Sequence, residues 1–258
     1  MGWGDELIAT AQAREMQRTD PRKIAVRDKR GGARWHEIWN HNPRFAVPGE
    51  ACDVQWLENY SGHRPYIDYT RTTRERYHWR EYHCEPGEIV LTKAEQALAR
   101  ETKDCVVIEP NLKTGAAQTK DWGHKRWQEL ATKLRINGYS LVQLGAGVQR
   151  ELRGVRRVFT RNVREAAGAL SGAIALVSPE GGLHHCAAAL GVPAVVIRGG
   201  FIGPRVTGYA GQADLFVESE EWPLGCGVRS GCPHCAAAME SITRSMVSQA
   251  LQKVLGKK

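Results

Sequence analysis

From residue 105 onward, apolar and polar positions alternate in short segments of two kinds. Cys105–Glu109 (CVVIE) is a β-branched run that predicts a strand. His124–Ile136 carries Trp127, Leu130 and Leu134 at spacings of three and four, the pattern of a helix lying on a sheet. Tyr139–Leu144 predicts a strand ended by Gly145-Ala-Gly147, and Val155–Phe159 a short one. Val163–Leu170 reads as a helix, Ala173–Val177 as a strand, and Leu183–Leu190 as a helix closed by Gly191 and Pro193. Pro193–Ile197 and Leu215–Val217 add strands, and Met239–Leu255 is expected to form one closing amphipathic helix. Strands alternating with short helices imply a parallel, doubly wound α/β sheet.

Residues 1–104 have a different texture. Glu6–Arg18 is rich in helix formers and ends at Thr19-Asp-Pro21, Lys23–Arg27 resembles a strand, and Lys93–Thr102 predicts a helix linking two domains. Between Gly31 and Tyr82 the chain is crowded with Trp, Tyr, His, Asn, Pro and Arg and has little periodicity, so long loops and short strands are expected. The domain expectation is an acceptor-side unit over 1–104 and a donor-binding unit over 105–258.

Composition narrows the class. Apolar residues make up 42% of 258, ordinary for a globular protein with a sizeable core. No apolar run reaches the roughly 18 residues of a membrane span, and Met1–Glu6 lacks the pattern of a signal peptide, so a soluble, cytoplasmic protein is expected. The net charge of +8 lies entirely in residues 105–258, with 19 cations and 11 anions, whereas residues 1–104 balance at 17 of each. That excess suits an anionic partner such as a nucleoside diphosphate or a nucleic acid, and suits a solvated basic surface equally. Seven cysteines, an odd number and mostly scattered, indicate reduced thiols rather than a disulfide scaffold.

The strongest constellation is the strand–turn–helix over Ala173–Leu190. In a parallel sheet it brings Glu180, Gly181 and Gly182 to the carboxyl edge of the strands, where such folds bind ligands. Glycines let backbone amides approach a phosphate, a helix N-terminus adds unpaired donors, and a carboxylate accepts from sugar hydroxyls. The same turn chemistry serves a ligand-free strand–helix connection.

Glu180-Gly-Gly-Leu-His-His-Cys-Ala-Ala-Ala-Leu-Gly-Val-Pro193 resembles the donor-binding motif of the family 9 glycosyltransferases, the ADP-heptose heptosyltransferases. The resemblance implies that Glu180 binds the donor sugar, that Gly181 and Gly182 donate to its diphosphate, and that His185 is the motif histidine. The family commonly has Asp at the position of Glu180. Thr119-Lys-Asp-Trp122 with Arg126-Trp127 resembles the family's Lys-x-Trp segment, which implies that Lys120 contacts the diphosphate. Gly2-Trp-Gly-Asp-Glu-Leu7 resembles its Gly-x-Gly-Asp-x-Leu loop, which implies that Asp5 deprotonates the acceptor hydroxyl, that Glu6 is a neighbour able to substitute, and that Gly4 lets the loop approach the sugar. Family members have a strand ahead of this loop, and the sequence here starts at the loop. The resemblance thus implies a GT-B-like fold of two Rossmann-like domains, the N-terminal one reduced. It also implies an inverting transfer from a nucleoside-diphosphate sugar with no metal or other cofactor required.

Three features leave the acceptor open. Cys226-x5-Cys232-Pro-His-Cys235 has ligand-like spacing for zinc but not the paired spacing of a zinc ribbon, and reduced or redox-labile thiols are the favoured reading over a metal site. Arg27–Trp39 and Tyr69–Tyr82 interleave cations with aromatics, as nucleic-acid and carbohydrate sites both do. Arg150, Arg153, Arg156, Arg157, Arg161 and Arg164 form a further cationic group, bordering the donor site or merely solvated. The acceptor expected from the resemblance is a surface saccharide of lipopolysaccharide type. The alternatives are a 5-hydroxymethylated pyrimidine in DNA, as for phage-type DNA glycosyltransferases, and a non-catalytic protein that binds sugar nucleotides or nucleic acid.

Overall fold

The computed structural model describes residues 2–145 and 150–256. The expected Gly145–Gly147 strand end therefore lies partly outside the described residues, at Ala146 and Gly147.

Helix α1 (Trp3–Met16) opens the chain, followed by β1 (Lys23–Arg27), β2 (Ala33–Arg34) and β3 (Val54–Glu58). These strands form a small sheet in the order β2-β1-β3, with β1 and β3 parallel. A long irregular stretch leads to α2 (Lys93–Ala97), where Thr92 and Glu95 cap each other and a 3-10 turn over Leu98–Glu101 replaces the second half of the expected helix. Then come β4 (Cys105–Ile108), α3 (His124–Ile136), β5 (Ser140–Gly145), β6 (Arg156–Phe159), α4 (Val163–Leu170), β7 (Ala175–Pro179), α5 (Gly182–Leu190), β8 (Ala194–Gly199), α6 (Pro204–Thr207) and β9 (Gln212–Phe216). Two helices close the chain, α7 (Pro233–Ser241) and α8 (Arg244–Val254).

The six strands from β4 to β9 make one parallel sheet in the order β6-β5-β4-β7-β8-β9. The order reverses between β4 and β7, the switch point at which doubly wound sheets hold their ligands. One face is covered by α3 and α8. Trp127, Leu130 and Leu134 of α3 and Val247 and Leu251 of α8 are fully buried against Val106, Ile108, Val195 and Ile197. Each such side chain contributes about 1.5–3 kcal/mol of apolar burial.

The other face carries α4 and α5, and over them lies the N-terminal part of the chain. Leu7, Ile24, Ile38, Trp39 and Phe45 belong to the same core cluster as Val107, Leu176 and Val196. Arg164 helps to fasten the two parts: its buried guanidinium meets Glu95 and donates to the carbonyls of Glu37, Asn40 and Val90.

The expected single helix over Met239–Leu255 is two. Ile242 is buried and extended, and the Thr243 hydroxyl accepts from Met246 N–H to cap a new helix. The apolar period carries across this break, which is why the sequence reads as continuous. The helix expected at Glu6 starts at Trp3, so the Gly2–Leu7 segment is a first helical turn rather than a loop.

Candidate active site

A cavity of about 580 Å³ opens at the switch point. Its wall includes Gly4, Asp5, Lys120, Glu180, Gly181, Gly182 and His185 from the family motifs, but not Glu6.

Glu180 follows β7 directly, and its amide donates to Ile197 O of β8 at 3.1 Å. Its carboxylate is 5% exposed and forms an ion pair with Lys120, which sits on a 3-10 turn after β4. The Thr207 hydroxyl donates to Glu180 Oε1 at 3.3 Å. Behind Thr207 stands Arg198, fully buried, donating to the Thr207 hydroxyl at 2.9 Å and to Asp214 at 2.5 Å. Burial opposes ionisation of Glu180, but the charges of Lys120 and Arg198 outweigh it and hold the carboxyl well below the usual carboxylate range.

Helix α5 points its N-terminus into the cavity with no side-chain cap. Gly181 N–H is taken up, donating to His184 Nδ1 at 3.0 Å. The first-turn amides of Gly182 and Leu183 follow it at the uncapped helix end. Because His184 Nδ1 accepts, the ring proton is on Nε2, which donates to Thr207 O at 2.9 Å. Burial, then the charge of Arg198, depresses the His184 pKa to about 4, so the ring is neutral near pH 7. His185 is buried too, with Nδ1 2.6 Å from the Tyr209 hydroxyl, and burial likewise pushes its pKa well down. Glu180, His184 and His185 each bring a ligand atom within 4.8 Å of the others, but both nitrogens of His184 are engaged.

The sign of this histidine pair's contribution to stability follows from its depressed pKa. In the unfolded chain the imidazoles titrate near 6.5. The stabilisation is complete above that value and is lost as pH falls toward about 4, because the unfolded state takes up protons that the fold refuses. His184 alone is worth about 3 kcal/mol over that window. Urea unfolding from pH 7 to 4 is expected to show a steep loss below pH 6.5 that His184→Gln flattens. An unchanged slope in the variant counts against this account.

Asp5, in the first turn of α1, faces Glu180's side of the cavity from the N-terminal part. Tyr66 donates its hydroxyl to Asp5 Oδ1 at 2.5 Å, Arg64 reaches Oδ2 at 3.1 Å, and Gly2 N–H donates to Oδ2 at 3.1 Å. Burial, then the charge of Asp5, keeps the Tyr66 phenol protonated, so it remains a donor. Glu6 is directed elsewhere: it is 1% exposed and held by Arg34 at 2.7 Å and Asn59 at 3.2 Å, outside the cavity wall. Gly4 lies where α1 crosses α5. A β-carbon there would stand 2.3 Å from His185 Cδ2, so the glycine is required by the helix crossing. Gly4→Ala is expected to cost about 1–3 kcal/mol and to displace His185. Thermal unfolding checks this, and an unaltered melting temperature would contradict the close approach.

Several wall residues carry no motif. Glu109, just past β4, is 5% exposed and accepts from Asn111 N–H and Nδ2 at 3.0 and 2.6 Å, while its Oε2 has no hydrogen-bond partner among the described residues. Burial lifts its pKa to about 7. Tyr77 and Trp79 stack with ring centroids 5.1 Å apart, and Trp79 meets Phe201 edge-on at 5.4 Å. The Tyr69–Tyr82 stretch thus reaches the cavity. The Arg27–Trp39 stretch does not: Trp39 is core, Arg34 pairs with Glu6, and Arg27 pairs with Glu58. Of the arginines between residues 150 and 164, Arg150, Arg156, Arg157, Arg161 and Arg164 each meet a carboxylate, and Arg161 lines the cavity. A charged residue closing the buried strand PAVVIR was the one signal for Arg198. Arg64 and Tyr66 come from a stretch with no periodicity at all.

The parallel sheet, its switch-point cavity and the acidic-Gly-Gly turn at a helix N-terminus define a GT-B-like α/β transferase fold. The family model of glycosyltransferase family 9 (heptosyltransferase) matches residues 82–230, more than half of the chain, and the chain belongs to that family. The solved structure of the glycosyl transferase family 9 from Veillonella parvula DSM 2008 superposes with a TM-score of 0.66 at 14% identity, over 99% of this chain and 95% of that one. E. coli ADP-heptose lps heptosyltransferase II gives 0.48 at 18% identity over 72% of this chain and 56% of that one. E. coli heptosyltransferase WaaC with ADP gives 0.46 at 18% identity over 67% and 52%. This chain spans about half the length of those two enzymes. No curated protein matches it. Among the described residues, no helix is long and apolar enough to cross a membrane.

Proposed function

We propose that this glycosyltransferase moves a sugar from a nucleoside-diphosphate sugar to an acceptor hydroxyl in one inverting displacement, in the cytoplasm. The observation that carries the reading is the meeting of Asp5 with Lys120, Glu180 and the α5 N-terminus around one cavity. The chain's 1–104 segment then serves the acceptor and its 105–258 segment the donor. Glu180 accepts from sugar hydroxyls. Lys120 and the α5 first-turn amides, Gly182 foremost, offset the charge that grows on the departing diphosphate. Asp5 takes the acceptor proton while the anomeric carbon passes through an oxocarbenium-like state. Cationic and dipolar groups supply the leaving-group stabilisation here, and the step needs no catalytic metal.

The relatives named for ADP-heptose and lipopolysaccharide make a heptose or hexose donor and a surface saccharide the first choice for this chain. The stacked Tyr77 and Trp79 beside the cavity also suit a flat ring, which supports 5-hydroxymethylated DNA as the second acceptor. Calorimetric titration with nucleoside diphosphates and their sugars, followed by transfer assays on lipopolysaccharide core and on hydroxymethylated DNA, separates these. Saturable binding of a nucleotide sugar with transfer to one acceptor is expected. Failure of every nucleoside diphosphate to bind would overturn the donor assignment, and binding without transfer to any acceptor would support a non-catalytic binder.

A further inference from the structure

Outside the cavity, four side chains of metal-ligating type converge. Cys226, Cys232, His234 and Cys235 each present a ligand atom, and all four atoms lie within 4.8 Å of one another. Cys226 and Cys235 are buried, and all three thiols are free. The sulfur of Cys226 is 3.7 Å from that of Cys232 and 3.1 Å from that of Cys235. Thiolates around a tetrahedral zinc, at about 2.3 Å each, stand about 3.8 Å apart. A disulfide needs about 2.05 Å. Among the described residues, His234 Nδ1 is buried with no hydrogen-bond partner. A buried imidazole nitrogen without a partner is costly unless something takes its lone pair or its proton.

The local chain is shaped to gather these ligands. Cys232 is the residue before α7, and His234 and Cys235 lie in its first turn. Cys226 comes from the preceding loop, which turns through glycines at positive φ at 225, 227 and 231. Its backbone is pinned, with Cys226 N–H donating to Gly200 O and Gly227 N–H to Phe201 O.

We propose that Cys226, Cys232, His234 and Cys235 bind one zinc ion as a structural, tetrahedral three-thiolate, one-imidazole site. Hard cations such as Mg²⁺ and Ca²⁺ prefer oxygen ligands, whereas sulfur with imidazole in a closed four-ligand set suits zinc. The site rests on these four side chains and not on the transferase reading.

Its place in the fold gives it a task. The loop it closes supports the segment that carries the aromatic wall: Arg76 donates to Cys226 O at 2.7 Å, Tyr77 N–H to Gly227 O at 2.9 Å, and the Trp79 indole to Phe201 O at 2.8 Å. A β-carbon at Gly227 would stand 1.9 Å from Tyr77 O, so loop and wall are in direct contact. Arg229, two residues on, lines the cavity itself. Zinc therefore sets the wall made by Tyr77, Trp79 and Arg229 without touching the reacting atoms.

Metal analysis of the full chain purified under reducing conditions is expected to find about one zinc per chain. Exchange with Co²⁺ is expected to give the strong visible bands of a tetrahedral thiolate site. Cys232→Ser, the half-exposed ligand, is expected to lose the metal and lower the melting temperature by roughly 10 °C. Cys52→Ser, at an exposed lone cysteine, should change neither. If Cys232→Ser fails to fold, the zinc content and cobalt spectrum of the wild-type chain still decide. No bound metal, iron in place of zinc, or a Cys226–Cys235 disulfide found by peptide mapping in the purified chain would overturn the proposal.

Discussion

Asp5→Asn is expected to lower the rate of sugar transfer by about 10²–10⁴-fold while leaving donor affinity within about twofold. The substitution keeps the shape of the side chain and its place beside Tyr66 and Arg64, and removes only the ability to take a proton. The donor groups, Glu180 with Lys120 and the α5 N-terminus, come from the opposite wall and are held by Thr207, Arg198 and Asp214 rather than by Asp5. Glu6 gives no substitute, since its carboxylate is closed off by Arg34 and Asn59. Neutralising Asp5 also leaves Arg64 without its counter-charge, so thermal unfolding must be followed alongside turnover. Transfer rates of folded Asp5→Asn close to wild type would remove Asp5 from the chemistry.

Lys120→Ala is expected to damage both stability and donor binding, and a second substitution separates the two. The Lys120–Glu180 pair is largely out of water, with side chains 18% and 5% exposed. Removing one partner leaves a buried carboxylate uncompensated, which costs about 3–5 kcal/mol where such pairs have been broken. Arg198 acts on Glu180 through Thr207 and offsets part of that cost. Replacing both partners, Lys120→Met with Glu180→Gln, removes the stranded charge and is expected to recover most of the stability. It should not recover donor affinity: loss of the charge-assisted contact between Lys120 and the diphosphate, about 1.5–3 kcal/mol, lowers affinity roughly 10–100-fold in Lys120→Ala, and the double variant, which also loses the charged acceptor for the sugar, falls at least as far. Denaturant unfolding and donor titration read the two effects independently. A double variant with restored stability and wild-type donor affinity would show that the pair is structural only.

Glu109 shows how far burial can act without a motif. Its folded pKa of about 7 lies above its unfolded value near 4.5, so the stability it allows is present at low pH and is lost as pH rises through 7. That is opposite in sign to the histidine pair, which loses stability on acidification. The two together predict maximal stability in weakly acidic to neutral solution.

Much of the sheet is legible in the sequence. Its strands are β-branched runs bounded by Gly and Pro, and α3 announces itself by Trp127, Leu130 and Leu134, because a parallel sheet buried on both faces demands unbroken apolar strands and a helix on it demands one apolar stripe. The glycine-rich turn at Glu180 was legible because a strand-to-helix turn has few solutions. The N-terminal part was not. Its core residues Trp39, Phe45 and Leu57 come from short, irregular pieces with no period to read, and their partners lie across α5 and the β4–β9 sheet.

Sequence patterns alone carry the resemblance to the family and the alternation of strands and helices, and they single out Asp5, Lys120, Glu180 and His185 as candidates. These depend on local patterns within a dozen residues. What faces what depends on how distant segments pack, and the fold supplies it. It ties Asp5 to Tyr66 and Arg64, turns Glu6 away, engages the Gly181 amide with His184, makes Gly4 a crossing point, and gathers Cys226, Cys232, His234 and Cys235 into one cluster. Each of these contacts, apart from the local Gly181 turn and the cysteine cluster, joins segments far apart in the chain. Their energies come from burial and charge pairing that exist only once those segments have packed together.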